Sequence, residues 1–178
     1  MGDLPQAAAA AITFEPTPDQ SRALRRAFAT FGTGVTVITT QTPHGPLAMT
    51  ANSFSSISLD PALVLWSPAK KSQRHDAFTQ AERFCIHVLS TAQQNMAHHF
   101  ARDGLDFAPF DWQEGPFGAP ELGGCLAAFH CDTFAVHPAG DHSIVIGQIQ
   151  RVVQADLSTA GLLFSDGAFG QFTRLEGD

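Results

Sequence analysis

The feature that most constrains the fold is a two-residue alternation of side-chain character that starts at Val35 and recurs along the chain. Val35, Val37 and Thr39 alternate with Thr36, Ile38 and Thr40, the pattern of a strand. The turn residues Pro43-His44-Gly45-Pro46 then predict that Leu47 to Asn52 pairs back as a hairpin. Ala62 to Trp66 is a short, continuously apolar run, which predicts a strand covered on both sides. Phe84, Ile86 and Val88 alternate again. Two long strands follow around Cys125 to Val136 and Ser143 to Gln154, with last elements at Leu162 to Phe164 and the Gly-rich Gly167 to Phe172. These strands read mostly as sequential and antiparallel. They do not alternate with helices at the rhythm of βαβ units, which argues against a doubly wound sheet. The expected class is mainly β, an antiparallel barrel with a few short helices.

Three helices punctuate that pattern. Thr17-Pro18-Asp19-Gln20 supplies an N-cap, a proline at the first helical position and Gln20 at the third. Leu24, Ala27, Phe28 and Phe31 follow at helical spacing, and Gly32 is the expected stop. Ser72 could cap a short helix through His75 and Phe78. Thr91 to Gln94 reads as a capping box for a helix bearing Met96 and Phe100. Arg102 to Gly123 is expected as one long loop, a length that is often functional. Residues 1 to 16 read as a loosely ordered lead-in and residues 17 to 178 as a single domain, a size that can bury a real core.

Several function classes are set aside by what the sequence lacks. A net charge of −7 gives no electrostatic basis for nucleic acid. Cys85, Cys125 and Cys131 make an odd count with no CxxC pair, which favours a reducing compartment. No apolar run approaches the ~20 residues of a membrane helix. The alanine-rich start lacks the basic flank of a signal peptide. A cytoplasmic protein with no membrane role is therefore expected. Gly32-Thr33-Gly34 lacks the third glycine of a dinucleotide fingerprint and precedes a strand. There is no phosphate-binding P-loop and no G-x-S-x-G elbow. Neither the His98-His99 pair nor Cys85 with His87 has metal-site spacing, and these residues read as structural, with no metal expected.

Four stretches carry chemistry. Thr50, Asn52, Ser53, Ser55, Ser56 and Ser58 crowd one segment between apolar strands. A strand turning into a hydroxyl-rich loop supplies neutral donors and exposed N–H groups, which suit a phosphate or the edge of a flavin ring; alone, it is equally a serine-rich surface loop. Lys70, Lys71 and Arg74 surround Ser72 at a helix start, a cationic setting for an anion. Gly140-Asp141-His142 places a titratable imidazole at a strand mouth, with Asp141 able to orient it. Phe169 stands in a Gly-rich turn from which its ring could lie over a ligand. The first two stretches flank the strand Ala62 to Trp66 and are expected to converge at one end of the sheet.

FGTGVTVITT, MTANSFSSISLDPALVLW, KKSQRHDAF, GDHSIVIGQI and LLFSDGAFG stand here in the order seen in the short-chain flavin reductases of two-component monooxygenases. The chain resembles that family from Asp19 to Phe172. The resemblance implies an FMN-binding split β-barrel, a tight homodimer and flavin held near the subunit interface. It implies reduction of FMN or FAD by NADH or NADPH, with reduced flavin passed to a partner monooxygenase. Thr50, Ala51, Asn52 and Ser53 would meet the isoalloxazine edge. Ser56, Ser72 and Arg74, with Lys71 nearby, would hold the ribityl chain and phosphate. His142 would stand beside the nicotinamide, and Phe169 where many members have the tyrosine of an R-Y-G end. Two positions depart from the family: R-Y-G is Ala168-Phe169-Gly170 here, and the frequent G-E-V is Gly147-Gln148-Ile149. A non-catalytic flavin carrier on the same barrel is the alternative.

Overall fold

The computed structural model describes residues 11–155 and 159–174. Residues 1 to 10 of the expected lead-in lie outside the described residues, and residues 11 to 16 form neither helix nor strand. The alternating segments fold as β1 (Thr33–Gly34), β2 (Thr36–Thr42), β3 (Gly45–Ala51), β4 (Ser55–Leu59), β5 (Ala62–Trp66) and β6 (Arg83–Val88). A short pair, β7 (Trp112–Glu114) and β8 (Pro120–Leu122), precedes a long one, β9 (Ala127–Ala139) and β10 (His142–Gln154). The chain closes with β11 (Leu162–Ser165) and β12 (Ala168–Gln171). Seven strands form one antiparallel sheet in the order β3-β2-β6-β9-β10-β5-β4. β3 and β4 are neighbours in sequence yet form its two edges, which leaves the barrel split at residues 52–54. Half of the pairings in this sheet cross over, as β2 does to reach β6, so sequential order accounts only for the three hairpins.

β2 shows why the alternation is so effective here. Residues Thr36 to Thr40 are all buried, because both faces of the strand are covered. On one face Val37, with Ala48 of β3, packs against Leu89, Met96, Phe100 and Phe107. On the other Ile38, with Leu47 and Met49, joins Trp66, Phe78, Phe84, Ile86 and Val145. One strand thus serves two cores, each taking alternate side chains. β5 is covered similarly, with Val64 and Trp66 buried and Leu63 and Leu65 half-buried. The β9–β10 hairpin turns at Gly140, whose φ of +59° suits glycine.

The helices are α1 (Ser21–Ala29), α2 (His75–Thr79) and α3 (Gln94–Arg102). Thr17 precedes a 3₁₀ turn, Pro18–Gln20, without a side-chain cap bond, and α1 stops three residues before Gly32. The capping box of α3 is Ser90 with Gln93, one residue earlier than expected: Ser90 N–H donates to Gln93 Oε1 at 3.1 Å. Met96 and Phe100 point into the core as their spacing predicts. The expected loop from Arg102 to Gly123 contains the β7–β8 hairpin. The expected hydroxyl-rich loop after Thr50 is mostly strand β4, an edge whose side chains are largely exposed. A separate small sheet pairs β1, β11 and β12 and carries Phe169 over the end of β3.

Candidate functional site

The C-terminal end of β3, the middle and last turn of α3 and the β11–β12 hairpin bound a cavity of about 330 Å³. Thr50, Ala51 and Asn52 line one side and Phe164 and Phe169 another, with Val35, Ala97 and Ala101 between them. The Phe169 ring is locked by neighbours on both sides. Phe164 meets it at 5.2 Å and His98 at 4.8 Å with the planes almost perpendicular. Thr50 Oγ1 donates to Ala97 O at 2.7 Å and thereby ties α3 to β3, so its hydroxyl proton is engaged internally. Among the described residues the Asn52 carboxamide makes no hydrogen bond, nor does the His98 imidazole, and both line the cavity.

Ser53 links this cavity to the basic loop. Its Oγ accepts from Ser67 N–H at 2.9 Å and donates to Ser67 O at 3.4 Å. Beyond that link lies a second cavity of about 870 Å³, which Ser72 and Arg74 line. Arg74 is held from inside: Nη1 donates to Ala48 O (2.9 Å) and Phe100 O (2.7 Å), and Nη2 to Ala101 O (3.1 Å). Two of these carbonyls belong to the last turn of α3, where backbone acceptors lack helical partners. Gly104 allows the arrangement, since a Cβ there would come within 2.8 Å of Arg74 Cδ. Burial lowers the Arg74 pKa, and the carboxylate of Asp103 offsets part of that effect. Nε–H and one Nη2 hydrogen remain for an anion.

The two anion-suited stretches meet only in part. Thr50 to Ser53 reach the basic loop, whereas Ser56 pairs with Val64 in mid-strand and stays exposed. Ser72 Oγ accepts from Arg74 N–H at 3.3 Å, shaping the turn before α2. Lys71 is exposed, and its charge helps lower the pKa of Asp141. His142 sits on the far side of the same loop: Lys70 N–H donates to Asp141 O at 2.9 Å, and Ser143 N–H to Pro68 O at 3.1 Å. Its Nδ1–H donates to Asp141 Oδ1 at 2.7 Å, which orients the ring and lowers the Asp141 pKa. His142 and Lys71 line neither cavity. Sequence reasoning missed His98, although it lies beside Ala97 on the α3 face away from Met96 and Phe100.

The buried histidines and the cysteines away from the two cavities are scaffolding. His87 is fully buried, donates Nδ1–H to Val37 O and accepts Leu122 N–H at Nε2, and burial pushes its pKa down to about 4. His130 Nε2 meets Glu121 Oε2 at 2.6 Å. Burial pushes all three thiols up, Cys125 to about 11 and Cys131 to about 12, so none is a nucleophile at neutral pH. Among the described residues, no three His, Cys, Asp or Glu side chains gather as a metal-ligand set. Among them too, no helix is long and apolar enough to cross a membrane.

Known proteins resemble this chain along most of its length. Residues 28–173 match a family model described as the flavin reductase like domain. The chain is 50% identical over 161 residues to an FMN reductase (NADH), SmoA, of Agrobacterium fabrum, covering 90% of this chain and 91% of that protein. It is 44% identical over 150 residues to the reductase component of a flavin-dependent trigonelline monooxygenase of Acinetobacter baylyi. That match covers 83% of this chain and spans about half (48%) of the longer relative. The solved structure of Streptomyces globisporus NADH:FAD oxidoreductase SgcE6, in complex with NAD and FAD fragments, superposes with a TM-score of 0.84. The two are 36% identical, with 93% of this chain and 100% of that one covered.

Proposed function

The chain belongs to the flavin reductase-like family, and from that premise we propose that it is an NADH-dependent reductase of FMN or FAD whose product serves a partner monooxygenase. The observation that carries the site is the joint enclosure of one cavity by Thr50, Ala51, Asn52 and Phe169, beside an arginine with two free donors. The residues fit a flavin. The cavity has apolar walls for a planar ring and the Asn52 carboxamide for its polar edge. When bound, the flavin supplies the hydride-accepting chemistry and the nicotinamide the hydride.

The protein's own part is positioning. Phe164, Phe169 and His98 exclude water from one side of the cavity and fix its width. Asn52 orients the ring edge, and Ser72 with Arg74 holds the phosphate end. Ser53 keeps these two halves in register through Ser67. His142, oriented by Asp141, holds the nicotinamide carboxamide, with Lys71 adding positive charge nearby and Ser56 at the outer rim. Residues 17 to 178 act as one domain in the cytoplasm.

We also place the protein as a homodimer. Within the aromatic segment Phe107 to Phe117, Phe107 is buried in its own core and Phe110 packs beside it, while Trp112 and Phe117 stay exposed. Free apolar surface lies on and just after α1, at Phe28 and Phe31, and on the β9–β10 hairpin at Phe134 and Val152. Light scattering should give twice the 19.0 kDa chain mass, and a monomer at micromolar concentration would overturn the dimer. The activity is tested by loss of NADH absorbance with free FMN, FAD and each nicotinamide in turn. Catalytic turnover supports the reductase; stoichiometric yellow colour without turnover would replace it with a flavin carrier.

A further inference from the structure

We infer that His75 is a positioning residue for the reduction: through Ser143 it fastens the mouth of β10, and with it the side chain of His142, to the turn that carries Arg74. This role rests on the nicotinamide reading of His142. His75 opens α2, directly after Arg74. Its Nδ1 lies 2.7 Å from Asp76 Oδ1 and its Nε2 2.9 Å from Ser143 Oγ. A carboxylate can only accept, so Nδ1 carries the hydrogen, and Nε2 of the neutral ring accepts the Ser143 hydroxyl. Carboxylate, imidazole and hydroxyl in this order also activate nucleophilic serines. Ser143 is only 6% exposed, too little for attack on a substrate, so the bond is a tie between α2 and β10.

The mouth of β10 needs such a tie. His142 is the first residue of the strand, two positions after the turn at Gly140. Opposite Ser143 on β9 stands Pro138, which has no N–H to give to the ladder. On the other side, β5 pairs with β10 only from Val145 onward. The loop between β5 and α2 closes that gap. Ser143 N–H donates to Pro68 O at 3.1 Å, Lys70 N–H to Asp141 O at 2.9 Å and Lys70 Nζ to Gly140 O at 2.7 Å. Those bonds engage only the first part of the loop. His75 fastens its last part, beside Ser72 and Arg74, to the same strand. Successive side chains of a strand point to opposite faces, so holding the buried Ser143 sets the direction of the partly exposed His142. A flavin phosphate at Arg74 and a nicotinamide at His142 thereby share one rigid connection.

Steady-state NADH oxidation with FMN by the intact protein tests this role, with His75→Ala, Ser143→Ala and His142→Ala made singly and in pairs. His75→Ala and Ser143→Ala should each raise the KM for NADH and lower kcat/KM by about tenfold, short of the loss of about a hundredfold that a full 1 Å misplacement brings. FMN affinity should stay unchanged. Adding either substitution to His142→Ala should cost less than about a further twofold, because the group they position is then gone. His75→Gln, whose carboxamide reaches the place of Nε2, should recover most of the loss. Ser143→Ala removes a single hydroxyl and decides the matter where His75→Ala folds poorly. A tie that only stabilised the fold would lower the melting temperature and leave the KM for NADH as it is. An unchanged KM in folded Ser143→Ala, or losses that multiply in full with His142→Ala, would overturn the positioning role alone. Wild-type kinetics in His142→Ala would overturn the nicotinamide reading and the positioning role with it.

Discussion

Replacing Arg74 with alanine should lower stability and flavin affinity together, because one side chain serves both. Its guanidinium donates to three carbonyls, two of them at the end of α3 and one on β3. A hydrogen bond from a charged donor contributes roughly 1.5–3 kcal/mol when its partners are shielded, and little at the surface. The Ala101 contact is exposed and is discounted. The two Nη1 bonds are part-buried, and their loss also removes a cation from the negative end of the helix dipole. A destabilisation of about 2–4 kcal/mol follows. Independently, loss of the remaining Nε–H and Nη2–H should weaken FMN by about tenfold or more. Riboflavin has no phosphate and should change far less. Arg74→Lys keeps the charge without the planar fork and should recover only a fraction of either loss. Urea denaturation measures the first effect, and flavin titration well below the transition measures the second. An unchanged midpoint would refute the strut between α3 and β3. Equal proportional losses for FMN and riboflavin would refute the phosphate contact.

His142→Ala should raise the KM for NADH and lower kcat/KM while flavin affinity holds, since a misplacement of about 1 Å can cost about a hundredfold; His142→Gln should recover part, and wild-type kinetics from the alanine variant would remove the nicotinamide assignment. His87 is neutral when folded, with its pKa near 4 against an ordinary 6.5. The unfolded chain therefore binds more protons between those values, so stability is complete above about pH 6.5 and falls by up to ~3 kcal/mol as pH drops towards 4. Denaturation midpoints at pH 7.5, 6 and 5 should slope less in His87→Gln, and parallel slopes would count against this origin. Gly147→Ala would place a Cβ 2.5 Å from Phe84 Cζ and 2.9 Å from Cys131 Cβ, an overpacking worth about 1–3 kcal/mol; a melting temperature equal to wild type would show that the ring can move aside.

The strands that sequence reading found are those with a buried face, and the reason is physical. Val37 and Ile38 must enter different cores, so their spacing is fixed by burial and visible as a pattern. β4 escaped because an edge strand exposed along most of its length needs only backbone pairing to β5, and its serines satisfy that as well as any residue. β7 and β8 are three residues each, too short to display a period. The capping box moved by one because Ser90-x-x-Gln93 and Thr91-x-x-Gln94 overlap. The structure selects Ser90, whose backbone also bridges Gly161 across to the small sheet.

At the candidate site the sequence named polar and cationic residue types but could not show which donors were already engaged. The Thr50 hydroxyl holds α3, Ser53 holds the Ser67 loop, and the inner edge of Arg74 holds three carbonyls. Each of these bonds joins segments at least 14 residues apart, so nothing local reveals it. Their effect is to make the site rigid before any ligand arrives, and rigidity is what positioning chemistry demands. Left unengaged at the proposed site are the Asn52 carboxamide and the His98 ring nitrogens at one cavity and the outer donors of Arg74 at the other. A segment crowded with hydroxyls therefore works here chiefly as scaffold, and in the proposed reading a carboxamide and a half-engaged guanidinium carry the recognition.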